Sequence, residues 1–183
     1  ARGSKEFGMY WNEMKYCIDF ALCNRKLMME RIEEVIANSL KGIEFEPMIN
    51  IAHNYAAMEH HFGKDVFVHR KGATLAREGV VGIIPGSQGT ASYIVEGLGN
   101  PDSFCSCSHG AGRVLSRKAA IRTLNMETEV RNLESKGIIH AIRCQDDMQE
   151  ASGAYKDIDT VINNESDLVK VKTKLLPIAV IKG

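Results

Sequence analysis

The 183-residue sequence has no excess of charge of either sign: 23 Lys and Arg stand against 23 Asp and Glu, a formal net charge of zero. The whole-molecule field therefore attracts no polyanion, and any nucleic-acid partner must be held by a local basic patch. No run of about 18 uncharged apolar residues is present, as a membrane-spanning helix would need. The opening stretch Ala1-Arg2-Gly3-Ser4-Lys5-Glu6 also lacks the apolar segment of a secretory leader. These absences predict a soluble, cytoplasmic protein. Repeats, low-complexity tracts and linkers are missing as well. With 44% hydrophobic and 25% charged residues there is enough apolar material for a core, so disordered, collagen-like and coiled-coil classes are excluded. The expectation is a single α+β unit over residues 1–183.

The five cysteines, Cys17, Cys23, Cys105, Cys107 and Cys144, are odd in number and lack the paired spacing of a disulfide framework or a zinc ribbon. A reducing compartment fits them. Cys105 and Cys107 share a face if extended, but two thiolates fall short of the four ligands of structural zinc. They are read as small buried hydrophobes.

From Trp11 to Leu40 apolar residues recur at three- and four-residue steps, among them Trp11, Met14, Ile18, Leu22, Met28, Ile32 and Val35. This predicts one long amphipathic helix, or two in line, whose stripe packs in a core and which stops near Gly42. Beyond Pro47 the texture changes. Val66–Val68, Val80–Ile84 and Ser92–Val95 read as short strands between Gly-rich turns. Thirteen of the sixteen glycines precede residue 115, ten of them between Gly63 and Gly112, where backbone must turn sharply or approach a ligand closely. Residues 113–136 read as one or two charged helices, 137–143 as a strand, 157–164 as a short helix and 168–181 as a closing strand or hairpin.

Four polar clusters carry the chemistry. Pro85-Gly86-Ser87-Gln88-Gly89-Thr90-Ala91-Ser92 combines glycines, which free backbone N–H groups for an anion, with hydroxyls that bond phosphate or a base edge. It is neither a Walker A loop nor a G-x-G-x-x-G fingerprint, and a plain turn between strands would look the same. His109 is followed by Gly110-Ala111-Gly112-Arg113 at the mouth of the expected helix. Small neighbours leave the imidazole accessible, the helix start favours an anion, and Arg113 can grip phosphate through its fork of donors. A neutral imidazole, with a reference pKa of ~6.5, is a competent nucleophile toward phosphorus. His109 is thus either that nucleophile or a histidine making ordinary hydrogen bonds. His53 is a candidate metal ligand with Asn54 as its polar neighbour, and His60-His61 reads as solvated helix surface. Lys71 either neutralises a triphosphate or faces solvent.

Taken together, Ala52-His53-Asn54-Tyr55-Ala56, His69-Arg70-Lys71-Gly72-Ala73-Thr74, the 85–93 segment ending in Tyr93, Ser108-His109-Gly110-Ala111-Gly112-Arg113, Ala154-Tyr155-Lys156-Asp157-Ile158 and the 177–183 terminus resemble the RtcB family of RNA-splicing ligases, in order from about Gly8 to Gly183. The resemblance implies an RtcB-like fold and a GTP- and manganese-dependent ligase that joins an RNA 3′-phosphate or 2′,3′-cyclic phosphate to a 5′-hydroxyl end. Carried over by motif, His109 would attack the α-phosphorus of GTP, release pyrophosphate and become a covalent histidine–GMP. The GMP would then pass to the RNA 3′-phosphate, and the 5′-hydroxyl would displace it. His53 would be one manganese (Mn2+) ligand, with Asn54 beside the GMP. Pro85, Gly86, Ser87, Gln88 and Ser92 would hold the nucleotide, while Gly110, Ala111 and Gly112 would line the phosphate. Lys71 and Arg113 would be cationic contacts, Tyr155 would stack on guanine and Lys182 would reach the base edge.

In that family an Asp-x-x-Cys segment, an Asn-His segment and a further histidine complete the metal site, and all lie upstream of the matched region. The chain is therefore expected to be either the C-terminal part of a longer ligase or a short homologue, with weak ligase activity alone. Its partners would be RNA ends, GTP, and a protein activator or the upstream half of its natural chain. The alternatives are a non-catalytic guanine-nucleotide or RNA-binding fragment, and a folded half that associates through an exposed apolar surface.

Overall fold

The structure, a computed structural model, describes residues 3–180. It is the α+β mixture expected, with a long N-terminal helix followed by short antiparallel strands, turns and short helices. The chain divides into two compact units, residues 1–71 and 72–183.

Unit 1 begins with helix α1 (Lys5–Ser39), started by Ser4, whose hydroxyl accepts from the Phe7 N–H at 3.2 Å, and by Glu6 in the first turn. It is one continuous helix, begins six residues before Trp11, and ends at an extended Leu40, two residues before Gly42 at φ +74°. Strands β1 (Asn54–His61) and β2 (Lys64–Lys71) form an antiparallel hairpin with Asn54 opposite Lys71. The rings of Phe7 and Trp11 meet Phe67, with centroids 5.1 and 5.3 Å away. Arg25 donates to the Asn50 side chain and the Ile51 carbonyl, which ties the loop to the helix.

Two expectations fail in this unit. No residue of α1 is buried, so its apolar stripe is not core within unit 1: a two-stranded hairpin is far shorter than a 35-residue helix and covers only part of it. His60-His61 is strand, not helix. His60 is exposed with Nδ1 2.8 Å from Asp65, and His61 is buried 3.0 Å from Glu59, which also takes both arms of the Arg70 guanidinium. The alternation of β1, not helical spacing, puts Glu59 and His61 on one face.

Unit 2 holds the core. Strands β3 (Ala73–Leu75) and β6 (Ser106–Ser108) pair with each other. Strands β4 (Val81–Ile84), β5 (Ser92–Gly97) and β7 (Val169–Leu175) make a three-stranded antiparallel sheet with β5 in the middle. Along β5 the alternation buries Tyr93 and Val95 and turns Ser92 and Ile94 outward. Those two residues join Ala76, Ile84, Cys107, Ala111, Ile158 and Val169 in one cluster. Helices α2 (Arg117–Thr123), α3 (Met126–Glu134) and α4 (Ile158–Asn163) complete the unit. Segment 137–143 is not a strand: Ile139 alone forms a bridge, to Ala179. All five cysteines are free, Cys107 in the core and Cys105 half-buried. No described helix is long and apolar enough to cross a membrane.

Burial ranks the consequences of truncation. Ile84 is fully buried, whereas Val35 on α1 is 66% exposed. Ile84→Ala should cost about 2–5 kcal/mol and Val35→Ala under about 0.5 kcal/mol. Urea unfolding of the two variants checks this.

Candidate functional site

Unit 1 gathers three candidates at one end of its hairpin. His53 precedes β1, and the register sets Asn54 against Lys71. His53 and Asn54 line a cavity of about 210 Å³ together with Cys17, Ile18 and Arg25 of α1. Asn54 and Lys71 border a second one of about 340 Å³ with Tyr10 and His69. Among the described residues no group of three or more His, Cys, Asp or Glu is placed to hold a metal ion.

Unit 2 brings together the glycine-rich segments. His109 follows β6, and its Nδ1 lies 2.6 Å from the Gly72 carbonyl just before β3. A carbonyl only accepts, so Nδ1 carries the proton, and in the neutral ring the lone pair sits on Nε2. Gly72 has φ +67°, and a Cβ there would lie 3.2 Å from the imidazole Cε1, so glycine permits both the turn and the close approach. The expected helix start beside His109 is not found: α2 is capped by Ser116, seven residues on, because Arg113, Val114 and Leu115 bond to the 149–155 region instead.

The Pro85 carbonyl accepts from the Ala111 N–H at 3.0 Å, which joins the 85–92 turn to the 109–113 segment. Within the turn the hydroxyls serve the backbone. Gly86 N–H donates to Ser92 Oγ, Ser87 N–H to Thr90 Oγ1 and Gly89 N–H to Ser152 Oγ, at 3.3, 2.7 and 3.0 Å. Each N–H thus already points at an oxygen, and an anion entering here would take the place of these hydroxyls. The Gln88 side-chain amide is buried, and among the described residues neither of its polar atoms has a hydrogen-bond partner.

Arg113 and Tyr155 face each other across an isolated bridge. The guanidinium lies 4.8 Å from the Tyr155 ring centre, covering one face. It donates to the Leu115 and Gln149 carbonyls, the Glu150 carboxylate and the Tyr155 hydroxyl. Glu150 also accepts from Tyr155 and Arg117. Burial works to raise the Glu150 pKa, but the Tyr155 and Arg117 hydrogen bonds and the two arginine charges outweigh it and hold the carboxyl below its ordinary range. Burial first, then Glu150, push the Tyr155 hydroxyl up, so it stays protonated.

Sequence patterning missed Gly72 as the imidazole's acceptor, and also Glu150, Ser152 and Glu165. The last three lie tens of residues from the motifs they serve, and no local spacing marks them. Lys182 lies outside the described residues.

A family model described as "tRNA-splicing ligase RtcB" matches residues 1–183. The chain is 41% identical over 190 residues to the RNA-splicing ligase RtcB of Escherichia coli strain K12, covering 99% of the chain and 45% of that protein. It is 36% identical to the tRNA-splicing ligase RtcB of Thermococcus kodakarensis, over 98% of the chain and 43% of that protein. With the Pyrococcus horikoshii tRNA-splicing ligase RtcB it shares 38% identity over 98% of the chain and 24% of that protein. The chain spans less than half the length of these relatives.

Two outcomes follow from the geometry of unit 2. A Cβ on Gly86 would fall 2.0 Å from the Ala91 carbonyl oxygen, whereas one on Gly137 at φ +70° would meet nothing within 4 Å. Gly137→Ala should cost about 1–2 kcal/mol, for its backbone alone. Gly86→Ala should lower the urea midpoint further and shift the 85–92 amide signals in NMR. For Glu150, a depressed native pKa gives stability that is present above the ordinary glutamate value of ~4.3 and lost as pH falls through the lower native value. Glu150→Gln should flatten that acid limb in a plot of urea midpoint against pH.

Proposed function

We propose, since the chain belongs to the tRNA-splicing ligase RtcB family, that it forms the nucleotide-accepting part of an RNA ligase in which His109 is the nucleophile. The observation that carries this is the Nδ1–H of His109 held on the Gly72 carbonyl, which directs the reactive lone pair to Nε2. Nε2 attacks the α-phosphorus of GTP: the nitrogen–phosphorus bond forms as the bond to the pyrophosphate oxygen breaks. The Gly72 carbonyl dipole then steadies the positive charge that the ring acquires.

The GMP carried by His109 passes to an RNA 3′-phosphate, freeing the imidazole. An incoming 5′-hydroxyl displaces GMP to close the phosphodiester, and a 2′,3′-cyclic phosphate enters once water has opened it. Pro85, Gly86, Ser87, Gln88 and Ser92 cradle the nucleotide, and Gly110, Ala111 and Gly112 leave room for its phosphate. Guanine stacks on the Tyr155 face opposite Arg113, with Lys182 at the base edge. Asn54 stands beside the GMP, and Lys71 and Arg113, the latter held by Glu150, are cationic contacts.

Manganese enters this proposal with His53 as one ligand. A catalytic metal takes three or more protein ligands, so the described residues do not make up its site, and no step above runs through it. The RNA ends are the substrates, a protein activator or the upstream half of the natural chain is the partner, and the cytoplasm is the setting.

With no group of three or more metal-ligating residues among those described, a second reading is a guanine-nucleotide or RNA-binding piece without catalysis. Incubation with α-³²P-labelled GTP and manganese, followed by a denaturing gel, tests the first. Acid-labile label on the protein, lost in His109→Ala, is the expected result; label retained in that variant removes His109 from the role. GMP binding in calorimetry with no covalent label supports the second.

A further inference from the structure

Strand β6 has only three residues, Ser106 to Ser108, and ends where His109 begins. So short a strand, paired on one side to the equally short β3, fixes the next residue poorly. The residue that compensates is far away in sequence. The Glu165 carboxylate accepts from the Ser108 N–H, 3.1 and 3.2 Å from its two oxygens, and from the Ser108 hydroxyl at 3.1 Å.

Glu165 is itself held in the turn after α4. Its N–H donates to the Ile162 carbonyl at 3.1 Å, and its own carbonyl accepts from Leu168 and Val169 at 2.9 and 3.0 Å. Burial raises its pKa and Asp167 adds to the rise, while the Ser108 donors pull it back. A carboxylate kept where burial disfavours its charge is held there by what it binds. On the other side of His109, the Gly72 carbonyl can accept the Nδ1 proton only if the peptide carrying the imidazole stands at the right place.

We infer that Glu165 is a positioning residue for His109: by taking both donors of Ser108 it fixes the backbone from which the imidazole reaches the Gly72 carbonyl. The inference rests on His109 being the reacting group of the proposed ligase chemistry, but its geometry can be tested without nucleotide.

The readout is the ring ¹⁵N spectrum of the six histidines in the full chain, with His109 assigned by its loss in His109→Gln. The wild type should give the Nδ1–H tautomer for His109. Glu165→Ala should move the His109 signals alone toward averaged tautomers. Glu165→Gln, whose amide oxygen still accepts from Ser108, should keep most of the wild-type pattern. The same two variants are then scored for label from α-³²P-GTP, where Glu165→Ala should lose roughly 10²-fold, the cost of a misplaced reacting group.

Unchanged His109 signals in a folded Glu165→Ala, or signals of all six histidines moving together, overturn the inference. Should Glu165→Ala fail to fold, Ser108→Ala, which removes the hydroxyl donor to Glu165, takes its place: a shift confined to His109 upholds the inference, and none sinks it. A wild type that shows the tautomer response but takes no label refutes the ligase proposal and leaves the positioning role standing.

Discussion

One hydrogen bond, from the His109 imidazole to the Gly72 carbonyl, couples two segments 37 residues apart and sets the tautomer of the ring. Without it the two neutral tautomers of imidazole lie close in energy, and the nitrogen that carries the lone pair is not fixed. With it the lone pair is assigned to Nε2 and the opposite edge of the ring is tied to rigid backbone. The same bond explains why a glycine stands at position 72: both the positive φ and the 3.2 Å approach to the ring exclude a side chain. In that setting the β3–β6 pairing, with Ala73 opposite Ser108, holds Gly72 and His109 in register.

The 85–92 turn follows a different logic. Ser92, Thr90 and Ser152 satisfy the N–H groups of Gly86, Ser87 and Gly89. A buried N–H without a partner costs about 1–3 kcal/mol, so the hydroxyls keep the turn folded when no anion is present. Hydroxyls suit this because they rotate at little cost and can both donate and accept, so a phosphate oxygen can take over an N–H without movement of the backbone. The Gln88 amide, buried in the same turn without a partner among the described residues, has no such internal substitute.

Much of this was legible in the sequence where the signal is local. The period of the apolar residues marked α1, short β-prone runs marked β2, β4 and β5, and the glycine density marked a region of sharp turns. The environment of α1 was not legible, because periodicity specifies an apolar face without saying what covers it. The 137–143 segment misled because Ile138, Ile139 and Ile142 suit a strand, while only Ile139 forms a β-bridge and the Ile138 N–H turns back to the Leu133 carbonyl at the end of α3. The helix expected at 113 begins at 117, since Arg113 is drawn into the Glu150 and Tyr155 network, a long-range bond that local pattern does not encode. The residues that orient the site, Gly72, Glu150, Ser152 and Glu165, are all of this long-range kind.

That network also carries a local imbalance of charge. Arg113 and Arg117 share the one Glu150 carboxylate, and Tyr155, its pKa pushed up, adds no charge. Two cations against one anion leave the cluster with a net charge of +1, even though Arg113 makes four hydrogen bonds within the protein. An arginine held this way loses little rotamer freedom when an anion arrives, and its charge acts through space instead of through its own donors. In a chain whose overall charge is zero, a fixed local surplus of this kind is the form that attraction to a phosphate has to take.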